Sequence, residues 1–131
     1  MSRRLLLDTH TFIWFIQGNP KLSVGARSLI EDVGNDKLLS VASAWEMHIK
    51  ERLGRLPVGR PLADLIPEQI EKNGFTLLSL ELRHLAPIST LPLHHGDPFD
   101  RLLIAQALVE GVPLVSGDTA FDSYAGLERL W

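Results

Sequence analysis

Four acidic residues stand where carboxylates could hold a hard cation: Asp8, Glu46, Asp100 and Asp118. Asp8 ends the apolar run LLL, Asp118 follows PLVSG, Glu46 lies inside SVASAWEMHIK, and Asp100 is the second aspartate of HHGDPFDRLLIAQA. The chain has no cysteine, so thiolate metal sites and disulfides are excluded and the donors on offer are oxygens. Carboxylate oxygens favour Mg²⁺ or Mn²⁺ over zinc, and Mg²⁺ usually keeps waters and takes few carboxylates beside substrate phosphates. The chemistry this suits is phosphate-ester displacement, in which a cation activates water and steadies the attacked and leaving oxygens.

The two aspartates of DPFD divide into two tasks. Asp97 before Pro98 reads as a helix N-cap with proline at the first helical position, which leaves Asp100 at N3. Counting i+3, i+4 and i+7 from Asp100 reaches Leu103, Ile104 and Ala107, a stripe that should face a core. A carboxylate heading such a stripe needs a cation, because an unpaired buried charge costs several kcal/mol. Plainer roles exist for the others. Asp8 and Asp118 could each cap a helix, and Glu46 could pair with Lys50 at i+4 on a helix whose apolar face is Trp45, Ile49 and Leu53. His94 and His95 lack an HExxH setting and read as solvated or partner-contacting residues, not zinc ligands. Lys50 and Arg101 are the cations expected to meet backbone phosphates. Arg101 stands in a helix's first turn, where a positive charge opposes the macrodipole unless acids or a phosphate compensate.

Positioning these residues requires alternating strands and helices. RRLLLD and THTFIWFI read as strand then helix with Asp8 at the junction, followed by a helix from Ser23 to near Gly34. KLLSVAS is a second strand leading into a helix over Ala44 to Leu53, LGRLPVGRP a loop, PLADLIPEQIEKNG a helix and FTLLSL a third strand. A Pro-rich segment at Ala86 to Pro92 precedes the Asp97 helix, VPLVS is a fourth strand and GLERLW a short fifth. This alternation predicts an α/β fold with a central, mostly parallel sheet of four to five strands covered on both faces. In such sheets ligands bind beyond the carboxyl ends of the strands, where all four acids can converge.

At 131 residues, the length suits a single domain spanning 1–131, with a mean hydropathy of +0.08 that fits a folded globular chain. The run after Met1-Ser2-Arg3-Arg4 ends at Asp8, too early for a signal peptide, and no later run reaches transmembrane length, so a cytoplasmic protein without membrane contact is expected. The net charge of −3 does not exclude a polyanionic substrate, since two bound divalent cations would reverse its sign. A DxDxT phosphatase motif is absent after Asp8, as are GxxxxGK[ST] and GxGxxG, and the last strand lacks the lysine of a receiver pocket.

LLLDTHTFIW, SVASAWEMHIKERLGRL, HHGDPFDRLLIAQA and PLVSGDTAFD, in that order, resemble the PIN domain, specifically the VapC-type toxin ribonucleases of type II toxin–antitoxin pairs. The resemblance covers nearly the whole chain. It implies a three-layer α/β/α fold and a Mg²⁺- or Mn²⁺-dependent endoribonuclease whose acidic quartet is Asp8, Glu46, Asp100 and Asp118. Ser116 takes the small hydroxyl position of the last motif, Asp97 a capping and supporting position, and Asp122 that of an additional acid. An RNA substrate, a homodimer and a cognate antitoxin that enters the active-site groove are implied with it. The alternative is a PIN-fold module that binds RNA or protein without cleaving.

Overall fold

Successive leucines of one strand point to opposite faces of a sheet, so Leu5, Leu6 and Leu7, all fully buried, require cover on both sides. The computed structural model supplies it. It describes residues 3–131; Met1 and Ser2, where the leader-like run and the expected domain begin, lie outside the described residues. Strand β1 (Arg4–Leu7) is central and parallel to β2 (Asp36–Ser40) and β4 (Leu114–Val115), with β3 (Phe75–Leu78) and β5 (Arg129–Leu130) outside them. The sheet order is β3-β2-β1-β4-β5, and every pairing is parallel. Helices α1 (Thr9–Gln17), α2 (Val24–Glu31), α3 (Val41–Arg52) and α4 (Leu62–Asn73) join Leu5 and Leu7 in one core through Phe12, Ile30, Met47 and Leu62. On the other face α6 (Pro98–Glu110) sets Leu103, Ile104 and Ala107 against Leu6, Leu38 and Leu114, with Phe121 and Tyr124 beside them. The α/β architecture and the five strands agree with the expectation from the sequence, as does the inward stripe of α6.

Three boundaries differ for local reasons. The second strand stops at Ser40 instead of running through Ser43, because the Ser40 hydroxyl accepts from the Ala42 N–H and starts α3 at Val41. This helix also presents a different face from the one expected. Ala42, Ser43, Glu46 and Met47 turn inward, while Trp45 and Leu53 are more than half exposed. Small side chains at 42 and 43 let α3 approach the sheet, and the Thr9 hydroxyl reaches Ser43 across the gap at 2.9 Å. The helix expected to reach Gly34 ends at Glu31, since the Asp32 carboxylate accepts from the Gly34 N–H in a turn. The Pro-rich segment is ordered as a 3₁₀ turn over Ala86–Thr90, preceded by a short helix, α5 (Leu82–Leu85). Among the described residues no helix is long and apolar enough to cross a membrane.

At the opposite end of the sheet from the four acids, one carboxylate ties α5 to α6. The Glu81 N–H donates to His84 Nδ1 at 3.0 Å, which leaves the proton on Nε2, and that N–H donates to Glu110 at 2.9 Å. Arg4 and Arg83 also bond Glu110, and His84 with these arginines holds its carboxyl below the usual range. His84 is completely buried. Glu110→Ala therefore strands an imidazole N–H in the interior and should cost about 1–3 kcal/mol, to be read from urea unfolding midpoints; an unchanged midpoint would refute this account of the network.

Candidate active site

Asp8 leaves β1 with extended backbone at the N-cap position of α1, yet its side chain makes no capping bond. Its Oδ2 instead accepts from the Ser116 hydroxyl at 2.8 Å, and the same Ser116 Oγ accepts from the Asp118 N–H at 3.1 Å. A fully buried serine at the end of β4 thus joins the first and last acids of the expected set. Burial pushes the Asp8 carboxyl above its usual range; the Ser116 bond opposes the rise, and the charge of Glu46 adds to it.

Glu46 points inward from α3. Its Oε2 pairs with Lys50 at 3.1 Å, as the i+4 spacing suggested, while Oε1 is buried without a hydrogen-bond partner. Asp100 sits in the first turn of α6, where burial, followed by the charges of Asp8, Asp97 and Glu46, raises its pKa to about 7 against a partial opposing effect of His95. Asp8, Glu46 and Asp100 thus come from three elements and sit in one another's field. Asp118 lines the same groove as Asp8. It caps the 3₁₀ turn Thr119–Ser123 by accepting from the Ala120 N–H, and its second oxygen faces His95 Nε2 at 3.2 Å. Among the described residues, no three acidic or imidazole side chains stand close enough to hold one ion as arranged. The donor chemistry nevertheless fits a hard cation: an orphan buried carboxylate oxygen lies beside two carboxyls whose ionisation is opposed by burial and like charge.

The supporting residues sort differently from the sequence reading. Asp97 does cap α6, accepting from the Phe99 N–H at 2.8 Å. Arg101, expected at a phosphate, is occupied otherwise: its guanidinium donates to the carbonyls of Ile88, Leu91 and Pro92, pinning the 3₁₀ segment to α6. Asp122 is likewise committed, to a two-pronged pair with Arg129 on the surface, and does not join the acids. Lys50 is partly shielded and paired with Glu46. His95 is the residue that sequence reasoning undervalued. Its ring stacks on Phe121 with centroids 4.5 Å apart, Nδ1 meets the Tyr124 hydroxyl at 2.9 Å, and Nε2 meets Asp118. Its only sequence signal was proximity to DPFD, because Phe121 and Tyr124 reach it through tertiary packing. His94 remains exposed, with its ring edge-on to Tyr124.

Two grooves flank the acids. One, of about 300 Å³, is lined by Asp8, His10, Thr11, Trp14, Gly117 and Asp118. The other, of about 370 Å³, includes Glu46, Lys50, Arg55, Asp97 and Phe99.

The family model for the PIN domain matches residues 5–127. This chain belongs to the PIN domain family. Among curated relatives of this PIN domain, Ribonuclease VapC16 of Mycobacterium tuberculosis is 40% identical over 72 residues, covering 52% of this chain and 51% of the relative. Ribonuclease VapC22 of the same organism is 30% identical over 124 residues, 92% of this chain and 91% of the relative. The chain thus aligns with about half the length of the first and nearly all of the second. Among solved structures, VapBC2 from Rickettsia felis bound to a promoter DNA fragment superposes with a TM-score of 0.73 at 12% identity, covering 97% of each chain. DNA-bound VapBC from Salmonella typhimurium gives 0.67 at 16% identity, covering 98% of this chain and 97% of that one. At such identities these two likenesses concern the fold.

The two aspartates of DPFD should separate by experiment. A carboxyl whose pKa is higher folded than unfolded favours the fold below its unfolded value and loses that contribution as pH rises through its folded value. In the presence of chelator, Asp100 should therefore lower the melting temperature as pH rises from 3.8 to about 7, and Asp100→Asn should flatten that slope. Identical slopes in the two proteins would contradict the assignment. Asp97→Ala should instead cost about 0.5–2 kcal/mol across the same range through the lost cap, measured by denaturant unfolding.

Proposed function

We propose that this PIN domain is a Mg²⁺- or Mn²⁺-dependent endoribonuclease acting in the cytoplasm as the toxin of a toxin–antitoxin pair. The observation that carries the metal dependence is the buried, unpartnered Glu46 Oε1 beside two carboxyls with opposed ionisation. The names of the VapC16 and VapC22 relatives support RNA as the substrate, and the likeness to VapBC assemblies supports a cognate antitoxin as partner. The homodimer implied by the family resemblance belongs to the same reading.

Asp8, Glu46 and Asp100 would hold the ion, with Asp118 completing the acidic set. When bound, such an ion polarises the phosphodiester and lowers the pKa of an attacking water. The protein's own groups prepare for this. Ser116 donates to Asp8 Oδ2, which favours the ionised carboxylate despite its burial. Lys50 occupies Glu46 Oε2 and leaves Oε1 as the available donor. Asp100, with its pKa at about 7, holds a proton part of the time at neutrality and must release it for its oxygens to serve as ligands. His95 fixes the orientation of Asp118: its Nδ1 meets the Tyr124 hydroxyl and its Nε2 faces the carboxylate.

Purified protein should cleave single-stranded or looped RNA with Mn²⁺ or Mg²⁺, and both excess EDTA and Asp100→Asn should abolish cleavage. Melting curves give a readout independent of activity. A ligand at 100 times its Kd stabilises the folded state by about 2.7 kcal/mol, so Mn²⁺ should raise the melting temperature of the wild type by several degrees and that of Asp8→Asn far less. Cleavage persisting in EDTA, or equal Mn²⁺ responses in both proteins, would overturn the metal assignment. RNA bound in Mn²⁺ without being cut would instead support the non-catalytic module.

A further inference from the structure

The groove beside Asp8 and Asp118 has a feature that holding an ion does not require. Its outer wall is the indole of Trp14, one helical turn beyond His10, with ring centroids 5.9 Å apart. Trp14 is partly exposed while packing against the core, and a second indole holds it in place: Trp131 meets it edge to face at 6.0 Å. Two glycines make room for Trp131. A Cβ at Gly117 would stand 3.0 Å from its ring, and one at Gly25 would stand 3.1 Å from its backbone oxygen. The Lys21 ammonium lies 5.9 Å from the Trp14 ring centroid. A braced aromatic side chain with a cation over its ring therefore lines the same groove as Asp8 and Asp118.

Resting on the ribonuclease reading above, we infer that Trp14 is a stacking platform for an unpaired nucleobase of the RNA next to the phosphodiester at the acids. A single-stranded polynucleotide brings a phosphodiester and a flat aromatic ring within one residue of each other, matching a groove lined by both carboxylates and an indole. Stacking on an aromatic side chain is tolerant of base identity because every base has a π-face, and it requires the base to be out of a duplex. The platform therefore selects single-stranded or looped RNA by accessibility of the base. The Lys21 ammonium lies over the indole, so a base stacking on that face displaces it toward the neighbouring phosphate.

The test uses the full chain carrying Asp100→Asn, so that RNA survives the measurement, and compares oligoadenylate with an abasic oligonucleotide of equal length by fluorescence anisotropy. Adding Trp14→Leu should weaken oligoadenylate binding about tenfold, within the range for loss of one stacked base, and leave abasic binding unchanged; Trp14→Phe should fall between. With Trp45 replaced by phenylalanine and the Trp131 brace kept, part of the remaining indole emission should be quenched by oligoadenylate and none by the abasic chain. This readout keeps Trp14 intact should the leucine variant fold poorly. Equal oligoadenylate affinity with and without Trp14, or an equal loss toward the abasic chain, overturns the platform while leaving the ribonuclease reading intact. If the parent binds no RNA and the wild type cuts none, the ribonuclease reading fails and the platform with it.

Discussion

Burial of the Asp8 carboxylate at the end of β1 is the constraint around which the carboxyl edge of the sheet is arranged. A charge there is opposed by lost hydration, so a donor has to reach it, and the Ser116 hydroxyl does so from the end of β4. That bond depends on register. With Leu6 opposite Leu114 and Leu7 opposite Val115, the residues just past each strand end side by side, and Ser116 lies deep enough to be fully buried. The same hydroxyl accepts from the Asp118 backbone, so one oxygen sets both where β1 releases its acid and how the chain turns after β4.

The other acids add to that burden. Glu46 and Asp100 reach the same region from helices on opposite faces of the sheet; the charge of Glu46 opposes ionisation of both Asp8 and Asp100, and that of Asp8 opposes Asp100 as well. Such repulsion persists only because large apolar surfaces on both faces hold the elements in place, through Phe12 and Met47 on one side and Leu103 and Ile104 on the other. Local devices limit the strain: Lys50 takes one oxygen of Glu46, and His95 lies near enough to both Asp100 and Asp118 to lower the cost of their charges. His95 can do this because Phe121 and Tyr124, from the turn after β4, enclose its ring.

Much of this was legible before any coordinates. The alternation of apolar runs and helical stripes specified an α/β fold with a parallel sheet, and the stripe behind Asp100 foretold which face of α6 enters the core. Asp97 acts as the cap that the following proline suggested. For α3 the periodicity misled. Trp45, Ile49 and Leu53 are larger than Ala42 and Ser43, but a helix that begins hard against a strand end must present small residues to the sheet, and the large ones are left outside. Arg101 misled for a related reason, since the carbonyls that hold its guanidinium belong to a 3₁₀ segment that composition read only as Pro-rich.

The sequence by itself determined the layer architecture and the cap at Asp97, because each follows from short-range rules: strand alternation, helical periodicity and the geometry of a proline-led first turn. Only the tertiary structure decided that Asp8 is bonded by Ser116 instead of capping a helix, that His95 faces the Asp118 carboxylate, and that the indole of Trp14, braced by Trp131, lines the groove. Those outcomes depend on side chains separated by many residues. Distance, burial and field between such groups are set by how the layers pack, and no local pattern carries that information.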